Sequence, residues 1–155
     1  MTEVRFYHLT KISLESALPK LLERTLDAGV RAVIVASSEE RVRSLDDLLW
    51  TYDPASWLPH GTSEDGSATE HPICITNKEE NPNNSTYLFL VDGARVAGIE
   101  VYDRVFELFD GRDDEAVVEA RHRWVKYKEQ KGIKLAYWQE DENGKWTKTQ
   151  LFFHS

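Results

Sequence analysis

The chain has 155 residues, 41% hydrophobic and 30% charged, with 19 Lys and Arg against 27 Asp and Glu, a formal net charge of −8. That length sets one domain with a sizeable core, and the composition excludes a disordered or fibrous protein. No apolar run approaches the roughly 20 residues that cross a bilayer, the N-terminus does not read as a secretory signal, and a single cysteine, Cys74, excludes a disulfide framework and a multi-cysteine zinc site.

"EVRFYHL", residues 3–9, has the aromatic and β-branched content of a first strand. "SLESALPKLLERTLDAG" places Leu14, Leu18, Leu21, Leu22 and Leu26 at helical spacing, with Ser13 as N-cap and Gly29 as the stop; Pro19 predicts a kink or a later start. "RAVIVAS" is a continuous apolar run, as a strand buried on both faces requires. "SEERVRSLDDLLW" follows with Ser37 or Ser38 as cap and Val42, Leu45, Leu48 and Leu49 on one side. The order strand–helix–strand–helix predicts an α/β fold, a Rossmann-like domain with a mostly parallel or mixed sheet flanked by helices.

Residues 51–71 read as a long loop containing "SWLPHG" and an acidic tip. "HPICITN" and "TYLFLVD" are two strands split by an Asn/Pro turn cluster, and Cys74, inside the first, reads as an inert core thiol. A strand near residues 104–109 follows a stretch that carries a helical signal. Residues 113–131 read as a last helix with acids in its first turn, cations in its last and Gly132 beyond. "IKLAYWQ" is a strand, and "DENGKWTKTQLFF" offers an Asn143-Gly144 turn and a short return strand. Residues 1–155 read as one unit, with 138–155 an extra hairpin or tail.

Enzyme chemistry finds little purchase. Phosphate-loop, dinucleotide and nucleophile-elbow motifs are missing, and no histidine pair has metal-ligand spacing, so neither a cofactor nor a metal is expected. His60, beside Pro59, is the loop residue with catalytic chemistry; it serves equally to close the loop by hydrogen bonds or to face a partner.

The charge distribution is more informative. "ARHRWVKYKEQKGIK", residues 120–134, carries six cations and one acid in an acidic chain. At about 100° per residue, Ala116, Ala120 and Tyr127 form a core stripe with Trp124 at its edge. Arg121 and Lys128 fall next to Trp124, flanked by Val117 and Val125, with Lys131 one turn on. Helix-end lysines suit the helix dipole without further function. Arg121, mid-helix beside an aromatic, suits a short acidic ligand bearing an aromatic group, since arginine grips carboxylate through two hydrogen bonds. Direct binding of single-stranded nucleic acid through the same corner is the alternative.

"FYHL", "RAVIVASSEERVRSLDDLLW", "SWLPHG" and "ARHRWVKYKEQKG", in this order and spacing, resemble the chi subunit of bacterial DNA polymerase III holoenzyme over about residues 3–138. The resemblance implies a Rossmann-like domain without nucleotide chemistry, and a cytoplasmic, non-catalytic accessory subunit that ties the clamp-loader assembly to single-stranded-DNA-binding protein through that protein's acidic, Phe-bearing C-terminal tail. It implies a tail site at Arg121, Trp124 and Lys128, with Val117 and Val125 standing where some members carry cations, and Arg123 and Lys131 as supporting cations. It also implies a face for the psi subunit at Trp50, Trp57, Leu58, Pro59 and His60.

Overall fold

The computed structural model describes every residue except Pro54, Ser56, Trp57, Asp65, Ser67, Gly144 and Ser155, and the side chains of Phe153 and His154. Strand β1 (Thr2–Leu9) is followed by α1 (Leu14–Asp27), β2 (Ala32–Val35) and α2 (Glu39–Thr51). Then come β3 (His60–Thr62), β4 (Ile73–Thr76), β5 (Tyr87–Val91), β6 (Arg104–Asp110), α3 (Asp114–Lys128), β7 (Ile133–Glu140) and β8 (Trp146–His154). One eight-stranded sheet runs β3-β4-β2-β5-β6-β1-β7-β8. Every pairing is parallel except β7 with β8, so the α/β, mostly parallel architecture expected from the sequence is the one observed.

Both sheet faces are covered. Helices α1 and α2 pack over Tyr7, Leu9, Ile34, Phe89 and Leu108 on one side. Helix α3 packs over Val4, Phe6, Val35, Phe109 and Leu135 on the other. The apolar run of β2 is buried at all four positions, as a strand covered on both faces must be.

The helix ends follow their sequence signals. Ser13, Ser38 and Asp113 each accept a hydrogen bond from a first-turn amide. Gly29, at φ 74°, ends α1: its N–H donates to the Leu26 carbonyl and that of Val30 to Thr25. Helix α1 does not start later on account of Pro19: the residue is buried within it, and the packing of that face against the sheet outweighs one missing backbone donor. Helix α3 ends at Lys128, earlier than the sequence suggested, and Gly132 at φ 79° turns the chain into β7.

Two strands depart from the reading. β3 lies inside the segment expected to be loop, and extends the sheet beyond β4 with only three residues. β8 is nine residues long, and its connection to β7 is pinned by the Asp141 carboxylate, which accepts from the amides of Asn143 (2.8 Å) and Lys145 (2.9 Å). A bulge interrupts the β7–β8 ladder: Gln150 pairs with Tyr137, but Lys148 pairs with Trp138, leaving Thr149 as the extra residue. The bulge reverses the phase of the strand. Phe152 lies with the α3-side core, whereas Trp146 packs on the α1 side.

Candidate functional site

The crevice at the carboxyl ends of β1 and β6 is where a doubly wound sheet usually binds ligand, because α1 and α3 carry the chain away in opposite directions there. Here it is a cleft of about 420 Å³ whose lining includes Glu15, Asp92, Asp110, Asp113, Glu115 and Glu119. The guanidinium of Arg41 is already held by Asp92 (2.7 Å) and Glu15 (3.0 Å). Ser13 and Asp113 cap the helix ends that open onto it. That concentration of carboxylate repels phosphate, and the capping side chains occupy first-turn amides that would hold it.

The basic corner lies on the outer side of α3. Trp124 is half-buried, with its ring edge-on to Phe6 (5.4 Å between centroids) and to Tyr137 (5.7 Å). Arg121 is exposed one turn earlier, and its charge acts on both His8 and Tyr137. His8 Nδ1 lies 2.7 Å from the Tyr137 hydroxyl. Burial is the largest influence holding the His8 imidazole below its ordinary value; the Arg121 charge acts the same way, while a backbone contact at Gly111 and the Glu140 charge oppose it. Burial likewise pushes the Tyr137 phenol up, against the pull of Arg121.

The remaining expected residues divide. Lys128 is exposed and places its ammonium 4.8 Å from the centre of the Phe152 ring, a cation–π contact with a residue of β8. Val117 is half-buried against the α3-side core, and Val125 is 54% exposed. Lys131 is exposed in the turn after α3. Arg123, expected as a supporting cation, is not at the surface. It is buried, with Nε 3.1 Å from Glu107 Oε1, and the Tyr127 hydroxyl donates to the other Glu107 oxygen at 3.0 Å. Burial raises the Glu107 pKa, opposed by Arg123 and Tyr127, and burial together with the Glu107 charge drives the Tyr127 phenol far up. These three side chains hold α3 to β6, and Arg123 lies on the cleft side of the helix, away from Arg121.

His8, Tyr137 and Phe152 are the members of this corner that the sequence reading missed. "FYHL" marked β1, but only the parallel register, which sets His8 beside Gln139 and Phe6 beside Tyr137, puts β1 and β7 side chains under Arg121 and Trp124.

The second expected face is mostly enclosed. Leu58 is core, and His60 is buried beneath Trp50, with ring centroids 4.5 Å apart. His60 Nδ1 lies 2.6 Å from the Leu58 carbonyl oxygen, and Nε2 lies 3.1 Å from an Asp46 carboxylate oxygen. His60 therefore fastens the loop to α2, and neither it nor Leu58 reaches the surface where a partner was expected to find them. Pro59 is half-buried, Trp50 is 54% exposed, and Trp57 lies outside the described residues. Cys74 is fully buried, as expected of a core thiol. Among the described residues no group of three or more His, Cys, Asp and Glu is placed to hold a metal, and no helix is long and apolar enough to cross a membrane.

Residues 1–136 match the family model described as DNA polymerase III chi subunit, HolC. A relative from Rickettsia prowazekii (strain Madrid E), described as a probable DNA polymerase III subunit chi, is 28% identical over 110 residues, covering 69% of this chain and 67% of the relative. The family match ends inside β7, so the end of that strand and all of β8 are additions to what the model spans. Sequence order, fold and match agree: the chain belongs to the DNA polymerase III chi subunit family, accessory subunits of the replicative polymerase.

Proposed function

We infer that this chain is a cytoplasmic, non-catalytic adaptor that links the clamp-loader assembly to single-stranded-DNA-binding protein, by gripping that protein's acidic C-terminal tail at the outer corner of α3. The reading is carried by one juxtaposition. Arg121 stands exposed one helical turn from Trp124, whose ring is steadied by Phe6 and Tyr137. An exposed arginine beside a packed aromatic suits a terminal carboxylate followed by an apolar ring. Val125 widens the apolar side of the corner, and Lys128 adds positive potential at its far end.

Trp50 and Pro59 are the described candidates for a psi contact, because Leu58 and His60 are buried, His60 beneath the Trp50 ring. The whole of residues 1–155 acts as one chi-like unit, its last strand added to the edge of the sheet. No catalytic role is assigned: His60, the residue with catalytic chemistry in the loop, is enclosed and bonded at both ring nitrogens.

The test is a calorimetric titration with a synthetic acidic tail peptide, with and without its terminal Phe. Binding that needs both the Phe and Arg121 supports the assignment. Equal affinity for Arg121→Ala overturns it, and tight binding of an oligonucleotide by the isolated protein favours direct single-strand binding instead.

A further inference from the structure

On the opposite face of the sheet, the β7–β8 hairpin leans over α1 and leaves a groove of about 420 Å³. Its floor is Ile12, Ala17, Leu21, Trp138 and Trp146. Its rim carries Lys20, Arg24 and Lys145, all exposed, with no carboxylate in the lining. The Lys148 ammonium adds a further positive charge, 5.3 Å from the centre of the Trp138 ring. This is unusual in a chain of net charge −8, and no ion pair joins Lys20, Arg24 or Lys145 to an acid among the described residues. The adjacent Glu140 carboxylate is turned to the backbone amides of Lys11 (2.8 Å) and Ile12 (3.2 Å). Trp138 contributes a second, independent sign. Its indole Nε1–H is buried and lacks an acceptor among the described residues, where buried indoles ordinarily find one.

We propose that this groove is a second acidic-ligand site, distinct from the α3 corner, and that its occupant is an acidic peptide segment inserting one apolar side chain. The charge complementarity selects an anion, and the apolar floor selects a side chain to accompany it. A peptide fits better than a nucleic acid. The Trp138 ring already has Arg5 and Lys148 over it and lies parallel to Tyr7, while Trp146 stands edge-on to Tyr7, so neither indole offers the open platform on which bases stack. The acidic remainder of the chain repels a long polyanion but tolerates a short one. The groove depends on the β8 bulge, because only the reversed phase brings Trp146 and Lys148 to the α1 side. Its α1 side, Ile12, Ala17, Lys20, Leu21 and Arg24, lies within the family match, and its hairpin side, Trp138, Lys145 and Trp146, lies beyond it.

The experiment uses the full chain and an Asp-rich decapeptide with one central Phe, acetylated at one end and amidated at the other. The missing terminal carboxylate separates this site from the α3 corner. The expected result is that the wild type and Arg121→Ala bind it alike, while Lys20→Glu/Arg24→Glu binds at least tenfold more weakly with an unchanged circular dichroism spectrum. The Trp138 indole proton signal, assigned by its loss in Trp138→Phe, moves on peptide addition. The proposal is overturned if the peptide does not bind, if Lys20→Glu/Arg24→Glu binds as well as wild type, or if Arg121→Ala alone abolishes binding with the Trp138 signal unmoved. A ten-nucleotide oligo(dT) that binds this groove more tightly than the peptide also overturns it.

Discussion

Arg123 Nε lies 3.1 Å from Glu107 Oε1, and both side chains are almost wholly enclosed between α3 and β6. A single turn of the helix therefore uses arginine in opposite ways: Arg121 outward, Arg123 inward. Truncating Arg123 to Ala strands a buried carboxylate, which costs about 3–5 kcal/mol. Truncating Arg121 removes an exposed cation and shifts stability by no more than about 0.5 kcal/mol. Urea denaturation of the two variants separates these roles, and a large loss from Arg121→Ala would show that the helix is oriented otherwise.

In binding, the order of the two reverses. Arg121→Ala weakens the tail peptide by about 1.5–3 kcal/mol, the range for a hydrogen bond to a charged group. The wild-type affinity falls with added salt, and the variant's salt dependence is shallower. Calorimetry at two ionic strengths reads both effects.

His8 gives the corner a pH dependence of defined sign. Its folded value lies below the ordinary 6.5, with burial the largest cause. The unfolded chain therefore takes up the proton first. The stability His8 contributes is present above 6.5 and is lost as pH falls through the folded value. Peptide binding runs the other way: protonation adds a positive charge beside Arg121, so an anionic ligand binds more tightly at pH 5.5 than at 7.5. The charged groups acting on His8 are Arg121 and Glu140, with the Tyr137 hydroxyl as its hydrogen-bond partner. His8→Gln flattens both profiles, and an unaltered binding profile in that variant rules out the histidine as their source.

Gly111 is a close-approach glycine, where β6 ends. A Cβ there would stand 2.0 Å from His8 Cδ2 and 2.9 Å from the Leu9 carbonyl oxygen. Gly111→Ala is expected to cost about 1–3 kcal/mol in thermal or chemical denaturation. Combining it with His8→Ala costs less than the two singles together, because the ring clash is gone while the backbone clash stays. Strict additivity would mean that the ring and the glycine do not meet.

Most of the frame was legible in the sequence because its signals were local. The apolar run of β2, the spacing of Val42, Leu45 and Leu49, and the caps at Ser13 and Ser38 all formed as read. β3 was not legible, because His60, Gly61 and Thr62 carry no strand pattern and are extended only by pairing with β4. Arg123 was misplaced by treating a cation as a surface residue. On the same wheel it falls near 200°, beside Tyr127, and the partner that makes burial tolerable, Glu107, lies 16 residues away in sequence on another strand. The pairing of His8 with Tyr137 spans 129 residues and depends on strand order, which local patterns do not encode.

The bulge at Thr149 makes β8 two half-strands of opposite phase. Residues 146 and 148 serve the α1 face, and residues 150 and 152 the α3 face, although all four are even-numbered. Deleting Thr149 would leave each remaining pair in step, whereas inserting one residue elsewhere in the strand would exchange the inward and outward side chains of the half it displaces. Chain length is therefore negotiable at one position of this strand and fixed at its neighbours, and the surface over α1 can change without disturbing the corner beneath Lys128.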